Sequence, residues 1–440
     1  MSRLHFKITV GILAAALAGL LHLACQTTRS EDGFVSLFDG RTLKGWAQVG
    51  GVGYAVTNVV DKGVTNAVIT CIKGTGGNLL SQEEYEDFIL RFEFRLTAGA
   101  NNGLGIRCPN VATNLHHDGM ELQILDDSAA KYAKLKPTQY HGSLYDVQGA
   151  QRGAQKPVGQ WNEQEVTVRG RQITVVLNGR KILDADINAL RDADTLRKHP
   201  GLLRDKGHIG FLGHGDSMDF RNIRIRELPR AILNNVPPSG FSVLFNGKDL
   251  TGWKGLLAAP NDNPIKRALL TPAALRTAQD KADQRMRDHW AVEEGALAFD
   301  GKGDSLATAR DYRDFEMLVE WKILAKGDSG IYLRGTPQVQ IWDPRGGETN
   351  AVVGSGGLYN NQKGASKPLV VADQAGWNRF RILMVGDRVH VFLNGTLVAR
   401  DVALENFWDR TKPLFESGQI ELQNHGNKLW FRNIYVRELK

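Results

Sequence analysis

Cysteine is scarce in this 440-residue chain, which contains only Cys25, Cys71 and Cys108. A dense disulfide framework is therefore excluded. Proline is also sparse, with 14 residues against 48 glycines, and this balance favours short strands joined by tight turns. The net charge of +7 is a mild excess, and no run of Lys and Arg with interleaved aromatics occurs. Nucleic-acid binding thus has little support.

Long apolar runs are confined to the N-terminus. Arg3 and Lys7 precede an apolar stretch at residues 8–21, which is typical of a secretory signal and too short to span a membrane comfortably. We predict that residues 1–25 are a signal and that the mature protein is exported to the periplasm or outer cell envelope. The residues before Cys25 resemble a bacterial lipoprotein cleavage site, so lipid anchoring at Cys25 and ordinary cleavage are both open.

The two remaining cysteines also leave alternatives open. An exported protein could join Cys71 to Cys108 in a disulfide. Two free, buried thiols are the equal alternative, because sequence spacing alone does not bring the two residues together.

Two sequence motifs each occur twice in the chain. GFVSLFDGRTLKGW at 33–46 returns as GFSVLFNGKDLTGW at 240–253, and FRNIRIREL at 220–228 returns as FRNIYVREL at 431–439. The landmarks between these ends recur in the same order. Both ends of one unit are therefore duplicated.

This repetition predicts two copies of one domain. We place them at 33–228 and 239–440, joined by a proline-containing linker at 229–238. A chain of this length also exceeds what a single core usually supports.

Within each copy the hydrophobic period is two. FILRFEFRL at 88–96 and FEMLVEWKI at 315–323 alternate apolar and charged residues, which indicates strands with one core face and one wet face. Asn-Gly pairs at 178–179 and 394–395 predict hairpin turns. The expected fold is all-β, two tandem concanavalin-like jelly-roll sandwiches, with a helix at 271–290 decorating the second copy.

A sheet with a charged face can bind a polar ligand, so we sought polar residues that share a face by alternation. The first-copy candidates are Glu93, Arg95, Arg107, Glu121, Gln123, His141 and Tyr145. Their second-copy counterparts that remain able to bind a ligand are Lys322, Arg334, Gln338, Gln340 and Tyr359. Solvated cross-strand pairs are the alternative reading of any one of these charges. His214 and His425 lie near strand ends, where a structural hydrogen bond is the favoured role.

The copies differ at the positions where a base is expected. Glu121 is matched by Gln338, and His141 is matched by Ser355. We therefore predict that the first copy carries the chemistry and that the second binds sugar or completes a shared cleft. Activity of the second copy through Asp343 or His425 is the alternative.

Metal binding has weak support in the sequence. His116, His117 and Asp118 are adjacent, but neighbouring side chains diverge on a strand and no third ligand spacing is visible. We predict no cofactor, and a divalent metal is unsupported by spacing.

Taken together, the quoted repeats with GMELQILDD, WNEQEVTV and ELQNHG resemble the bacterial 3-keto-disaccharide hydrolase family, which has a concanavalin/laminarin-type jelly roll. The resemblance spans nearly all of the predicted mature chain. It implies 3-keto glycoside substrates supplied by a separate sugar oxidoreductase, and a reaction in which a base removes the carbon-2 proton before the group at carbon 1 leaves.

Residue type and strand parity then suggest roles. Glu121 or His141 is expected to be the base or acid, and Arg107 and Arg95 are expected to stabilise the enolate. Contacts to sugar hydroxyls are expected from Gln123, Glu93 and Tyr145. A non-catalytic, lectin-like carbohydrate-binding protein and an envelope-anchored interaction module are the alternatives, since the fold alone decides nothing.

Overall fold

A computed structural model describes residues 33–112, 114–229, 234–336, 338–343, 353–362, 364, 372 and 376–440. The predicted signal at 1–25, its Cys25 and part of the predicted linker lie outside the described residues. The prediction of an all-β fold is confirmed, because the described chain forms two sandwiches, here called domain 1 (residues 33–229) and domain 2 (residues 234–440). Among the described residues, no helix has the length and apolar character needed to cross a membrane.

Domain 1 is built from two antiparallel sheets. Its strands are β1 (Val35–Ser36), β2 (Trp46–Val49), β3 (Tyr54–Asp61), β4 (Val64–Cys71), β5 (Gly77–Tyr85), β6 (Phe88–Leu96), β7 (Asn101–Cys108), β8 (Met120–Leu125), β9 (Trp161–Arg169), β10 (Gln172–Leu177), β11 (Arg180–Asp186), β12 (Gly207–Gly213) and β13 (Met218–Glu227). Sheet 1A has the order β11-β10-β9-β6-β13-β4-β3, with β1 beside β13, and sheet 1B has the order β2-β5-β12-β7-β8. Helices α1 (Leu115–Asp118) and α2 (Ala193–Lys198) lie in its connections.

Domain 2 repeats this plan. Its strands are β14 (Ser242–Val243), β15 (Trp253–Gly255), β16 (Trp290–Glu293), β17 (Ala296–Phe299), β18 (Leu306–Thr308), β19 (Phe315–Ile323), β20 (Asp328–Tyr332), β21 (Gln338–Trp342), β22 (Leu358–Tyr359), β23 (Asn378–Val385), β24 (Arg388–Leu393), β25 (Thr396–Ala403), β26 (Glu421–Leu422) and β27 (Leu429–Glu438). Sheet 2A has the order β16-β17-β27-β19-β23-β24-β25, with β14 beside β27, and sheet 2B has the order β15-β18-β26-β20-β21-β22. Helices α3 (Pro264–Arg267) and α4 (Pro272–His289) belong to an insertion without a counterpart in domain 1.

Local sequence explains why these elements form. In β6 the alternation is complete, with the phenylalanines and leucines buried in the core and the charged residues on the other face. The predicted hairpin turns have positive φ at Asn178 and Asn394, each followed by a positive-φ glycine. Helix α4 begins after Thr271, whose hydroxyl accepts a hydrogen bond from the Ala274 amide at 3.3 Å, with Pro272 in the first turn. Cys71 and Cys108 are separate buried thiols.

The two domains are joined by a buried cluster of charges. Glu316 on β19 is fully buried and accepts hydrogen bonds from Arg171 of domain 1 at 3.0 Å, from Arg381 at 2.5 Å, and from Arg437. Arg381 also donates to Asp205 of domain 1 at 2.7 Å. Burial raises the pKa of Glu316, but the three guanidinium groups outweigh this and lower it to about 2. The carboxylate is therefore the ionic centre of the domain interface.

Apolar and polar contacts extend this interface towards α1. Leu383 and Phe392, on sheet 2A, belong to the hydrophobic core of domain 1. Arg400 on β25 donates a hydrogen bond to Asp118, the last residue of α1. A side chain of domain 2 thus holds a helix of domain 1 in place.

Candidate functional site

The charged residues of β6 do not lie near Glu121. We expected Glu93 and Arg95 to share its face, but β6 belongs to sheet 1A and β8 to sheet 1B, so their wet faces lie on opposite sides of the sandwich. Glu93 accepts from Arg221 at 2.8 Å, and Arg95 donates to Asp219 at 2.7 Å. These are cross-strand ion pairs of the kind that commonly cover an exposed sheet face.

The equivalent position in domain 2 has the same surroundings. The ammonium group of Lys322 on β19 lies 4.5 Å from the ring centre of Trp430 and 5.3 Å from that of Trp377. Lys322 is therefore part of a cation–π cluster on sheet 2A and is remote in the fold from Gln338 on sheet 2B.

Arg107 and Arg334 are both buried, and each binds the equivalent turn in its own domain. Arg107 donates to the Glu86 carbonyl at 2.8 Å, to the Arg204 carbonyl at 3.0 Å and to Asp87 at 3.2 Å. Arg334 donates to the Arg313 carbonyl at 2.7 Å and to Asp314 at 2.7 Å. The expected role of Arg107 in stabilising an enolate is not supported by this position, because its guanidinium group is directed at the backbone and carboxylate of the turn before the long strand. Arg334 lines a separate cavity of about 550 Å³ together with Arg313 and Asp314, so its expected contact with substrate stays a prediction.

His141 lies inside the sandwich. Its ring stacks on Phe94 with centres 5.1 Å apart, its Nδ1 accepts from the Leu125 amide at 3.3 Å, and its Nε2 lies 3.0 Å from Gln164 Oε1. Burial lowers the pKa of His141 to about 4, so the ring is neutral at pH 7. Ser355 makes the matching contact in domain 2, where its hydroxyl accepts from the Trp342 amide at 2.9 Å. His141 and Ser355 therefore each accept a hydrogen bond from the last backbone amide of a strand. This structural contact does not support the expected acid or base role of His141.

Glu121, one of the residues predicted to act as base or acid, lies in a cleft. On the face of sheet 1B that points away from the core, Glu121 meets His214, with 3.7 Å between Glu121 Oε1 and His214 Nε2. The cleft has a volume of about 200 Å³, and its other polar side chains are Asn78 of β5, His116 of α1 and Asn114, which precedes α1. Glu121 is 5% exposed and His214 is half exposed, so a buried carboxylate and an accessible imidazole face one space. This pairing suits acid–base chemistry.

The position of Glu121 depends on a glycine in the neighbouring strand. In β7, Gly103 lies under the carboxylate, and a Cβ added there would be 2.0 Å from Glu121 Oε1. The φ angle of Gly103 is not positive, so the backbone conformation does not require glycine here. Glycine is required because the Glu121 carboxylate leaves no space for a side chain. Any side chain at this position must displace Glu121 from the cleft.

We expect Gly103→Ala to lower kcat/KM by about 10- to 100-fold, since displacement of a reacting group by about 1 Å has an effect of this size. The measurement is steady-state kinetics with a 3-keto disaccharide. Gly76→Ala is the matched control, because a Cβ at Gly76 meets no atom within 4 Å. Equal kinetics for the two variants would contradict the placement of Glu121.

The electrostatics of the pair favour a charged His214. Glu121 raises the pKa of His214 above its ordinary value of 6.5, against the opposing effect of burial. Because the pKa is raised, His214 keeps its proton to a higher pH than a free imidazole and loses it as pH rises through the raised pKa. His214 can thus donate a proton beside Glu121 near neutral pH.

We expect Glu121→Gln to lower the pKa of His214, since the main cause of its elevation is removed. Titration of the His214 ring proton by NMR in both proteins measures this. An unchanged midpoint would show that the two groups are not coupled.

The remaining first-copy candidates are placed beside this pair. Gln123 lies on the same face of β8, and within the described chain its buried Oε1 has no hydrogen-bond partner. The amide of Tyr145 donates to the Glu121 carbonyl at 2.9 Å, and the Tyr145 ring lies edge-on to His116 with centres 6.0 Å apart. The structure therefore brings Glu121, Gln123 and Tyr145 together.

Domain 2 groups its counterparts in the same way. Gln338 and Gln340 lie on one face of β21, and Gln338 donates to Gln340 at 2.7 Å. Tyr359 pairs with Gln338 in the sheet and is exposed at the edge. These three residues share sheet 2B, whereas Lys322 and Arg334 do not join them.

The adjacent histidines form a stack of rings. His116 and His117 have ring centres 4.1 Å apart, and His117 and His199 have centres 4.5 Å apart. Burial lowers the pKa of both His117 and His199. In the part of the chain that the structure describes, no group of three or more His, Cys, Asp or Glu residues is arranged to hold a metal ion. Of these three histidines, His116 lines the cleft.

Two residues of the cleft are not among the candidates that the sequence predicts. For His214 the sequence favours a structural hydrogen bond, and for Gly103 it predicts no role. The alternation of β12, continued one residue past the end of the strand, is a signal for His214, because Leu212 and His214 alternate away from the buried Phe211.

Comparison with known proteins defines the family. Residues 33–226 and 240–437 each match the family model described as a 3-keto-alpha-glucoside-1,2-lyase-like domain. The chain belongs to this family, with two of its domains in tandem.

The chain is also similar to individual proteins. The chain is 28% identical over 242 residues to a 3-keto-disaccharide hydrolase of Bacteroides thetaiotaomicron, a match that covers 46% of this chain and 81% of the relative. A solved structure of a Parabacteroides distasonis protein, assigned as a glycosyl hydrolase, is 30% identical and covers 44% of this chain and 99% of its own, with a TM-score of 0.38. A carbohydrate-binding module of Bacillus subtilis is 14% identical and covers 42% of this chain and 96% of its own, with a TM-score of 0.27.

Proposed function

We propose that this chain is an exported enzyme that cleaves 3-keto disaccharides in the cleft of domain 1. The observation that carries the proposal is the pairing of Glu121 with His214, 3.7 Å apart on the ligand-accessible face of sheet 1B. Membership of the 3-keto-alpha-glucoside-1,2-lyase-like family and the similarity to a named 3-keto-disaccharide hydrolase support the substrate class.

The reaction needs one base and one acid. The ketone at carbon 3 acidifies the hydrogen at carbon 2, and the Glu121 carboxylate accepts that proton. The electron pair left at carbon 2 forms a double bond to carbon 1, the bond from carbon 1 to the glycosidic oxygen breaks, and protonated His214 gives its proton to that oxygen. Addition of water across the new double bond then gives net hydrolysis. Of the other cleft residues, His116, Asn78 and Asn114 can donate hydrogen bonds to the carbonyl oxygen.

The expected partners follow from this chemistry. A separate sugar oxidoreductase is expected to supply the ketone, because the substrate must already carry it for the hydrogen at carbon 2 to be acidic. The signal pattern at 1–25 supports export, and Cys25 is the residue at which a lipid anchor would be attached. With these two features the protein would lie in the cell envelope, where it can bind disaccharides that come from outside the cell.

The test is to mix the purified protein with 3-keto-trehalose in heavy water and follow the carbon-2 proton by NMR. Elimination predicts loss of that proton together with release of the second sugar. Saturable shifts of the sugar signals without turnover would instead identify a carbohydrate-binding protein.

A further inference from the structure

All described residues that line the cleft belong to domain 1, but one side of the cleft is held by domain 2. That side is α1 (Leu115–Asp118) with the residue before it, and it brings His116 and Asn114 to the cleft. A helix of four residues is too short to be stable by itself. Asn114 also has a positive φ of 58°, a conformation that persists only where the surroundings hold it. The position of this segment is therefore set from outside it.

Backbone hydrogen bonds make the segment a single unit. The amide of Asp118 donates to the Asn114 carbonyl at 2.8 Å, and the amide of His117 donates to the same carbonyl at 2.9 Å. The amide of Gly119 donates to the Leu115 carbonyl at 2.8 Å and completes the turn. A displacement of Asp118 at one end is thus transmitted to the hydrogen-bond donors of the cleft at the other.

Domain 2 reaches the Asp118 end of this segment by two routes. Arg400 donates a hydrogen bond to the carboxylate of Asp118, whose side chain is only 11% exposed. Arg204 of domain 1 donates to the Asp118 carbonyl at 2.6 Å, and its guanidinium carbon lies 5.9 Å from the ring centre of Phe392 on β24. The loss of Arg400 would remove a charged donor from a nearly buried carboxylate, and such hydrogen bonds are the strong ones.

Arg400 is itself fixed at the domain interface. Strand β25 is irregular at this point, because its register with β24 shifts and Asp401 has a positive φ of 44°. The Asp401 amide donates to Nδ1 of His390 at 3.1 Å, and Nε2 of His390 lies 3.0 Å from the carbonyl of Arg197, which belongs to α2 of domain 1. Because Nδ1 accepts, the ring proton is on Nε2 and is donated to that carbonyl. The irregular part of β25 that carries Arg400 is therefore bound to domain 1.

The two copies of the domain differ at these positions. Counted from the Asn-Gly turns, Arg400 corresponds to Asp184 and His390 corresponds to Thr174. Asp184 is 45% exposed and forms an ion pair with Lys181 of its own strand at 2.6 Å. The residues that extend from domain 2 towards α1 are therefore not part of the repeated plan.

We propose that Arg400 of domain 2 is a positioning residue for the reaction in domain 1. Through Asp118 it fixes α1, and so it places His116 and Asn114 where they can donate hydrogen bonds to the carbonyl oxygen of the substrate. Donors stabilise a developing negative charge best when they are already in position, and an error of about 1 Å lowers the rate strongly. This role rests on the proposed reaction, and it makes domain 2 a working part of the enzyme.

The test is steady-state kinetics of the full chain with 3-keto-trehalose. We expect Arg400→Ala to lower kcat/KM by about 10- to 100-fold, mainly through kcat, because the donors matter most when charge develops on the oxygen. Arg400→Lys keeps a cationic donor and should recover most of this loss. Arg310→Ala is the matched control, since it removes an exposed arginine of the same domain, and it should leave kcat and KM unchanged.

A double-mutant cycle distinguishes positioning from a general loss of structure. In a chain that already carries His116→Ala, adding Arg400→Ala should lower kcat/KM by no more than about 3-fold, because a donor that Arg400 positions is already absent. Asp118→Ala removes the acceptor and should reproduce the effect of Arg400→Ala. The two together should be no worse than either alone, since both break the same contact.

Two results would overturn the role of Arg400: an unchanged kcat/KM in Arg400→Ala, or equal losses from Arg400→Ala in the presence and in the absence of His116. Substitution at both Arg400 and Asp118 protects the test against misfolding of one variant. If the unmodified chain shows no turnover, the proposed reaction fails and this role fails with it. Turnover in the unmodified chain with unchanged kinetics in Arg400→Ala would instead leave the reaction standing and remove only the role of domain 2.

Discussion

Replacing Glu121 by Gln should lower kcat for a 3-keto disaccharide by about 10²- to 10⁴-fold, the usual contribution of a positioned general base. The amide keeps the shape of the side chain above Gly103 but cannot accept the carbon-2 proton. Steady-state kinetics and the carbon-2 proton signal in heavy water measure the loss.

Glu93→Gln is the informative control for this experiment. Both residues were candidates on sequence grounds, but Glu93 lies on sheet 1A in an ion pair with Arg221. Its replacement should leave kcat close to that of the unmodified chain. A large loss with Glu93→Gln and none with Glu121→Gln would overturn the assignment of the cleft.

Replacing Glu316 by Gln should have the largest effect on stability. The change leaves the buried cations of Arg171, Arg381 and Arg437 without their common counter-charge, and loss of one partner from a buried ion pair costs about 3–5 kcal/mol. Denaturant unfolding of the full chain measures the difference, and Glu438→Gln, at an exposed pair, should cost at most about 1 kcal/mol.

The same carboxylate predicts acid sensitivity. Because its folded pKa is depressed from 4.5 to about 2, its stabilising contribution is present above pH 4.5 and is lost as pH falls towards 2. The unmodified chain should lose its stability advantage over Glu316→Gln across this window. A constant difference in unfolding free energy from pH 6 to pH 3 would contradict the proposed ion cluster.

The features predicted well from the sequence are those with a local cause. Alternation in FILRFEFRL sets which side chains of β6 enter the core, and Asn-Gly pairs set the hairpin turns. The doubled end motifs set the tandem plan, because duplication is visible without any knowledge of contacts.

The site was predicted only in part because membership of a sheet is not local. Glu93 and Glu121 both alternate with core residues on their own strands, and only the pairing of those strands puts them on opposite sides of the sandwich. Charge alone could not distinguish the buried, structural Arg107 from a ligand-binding arginine.

The contact between Arg400 and Asp118 has an evolutionary consequence. The helix that carries His116, one wall of the cleft, ends at a residue held by the neighbouring domain. Once such a contact is established, deletion of the second gene segment is no longer neutral for the first, even if that segment contributes no reacting group. A duplicated domain can thus be retained as a scaffold for the cleft of its neighbour.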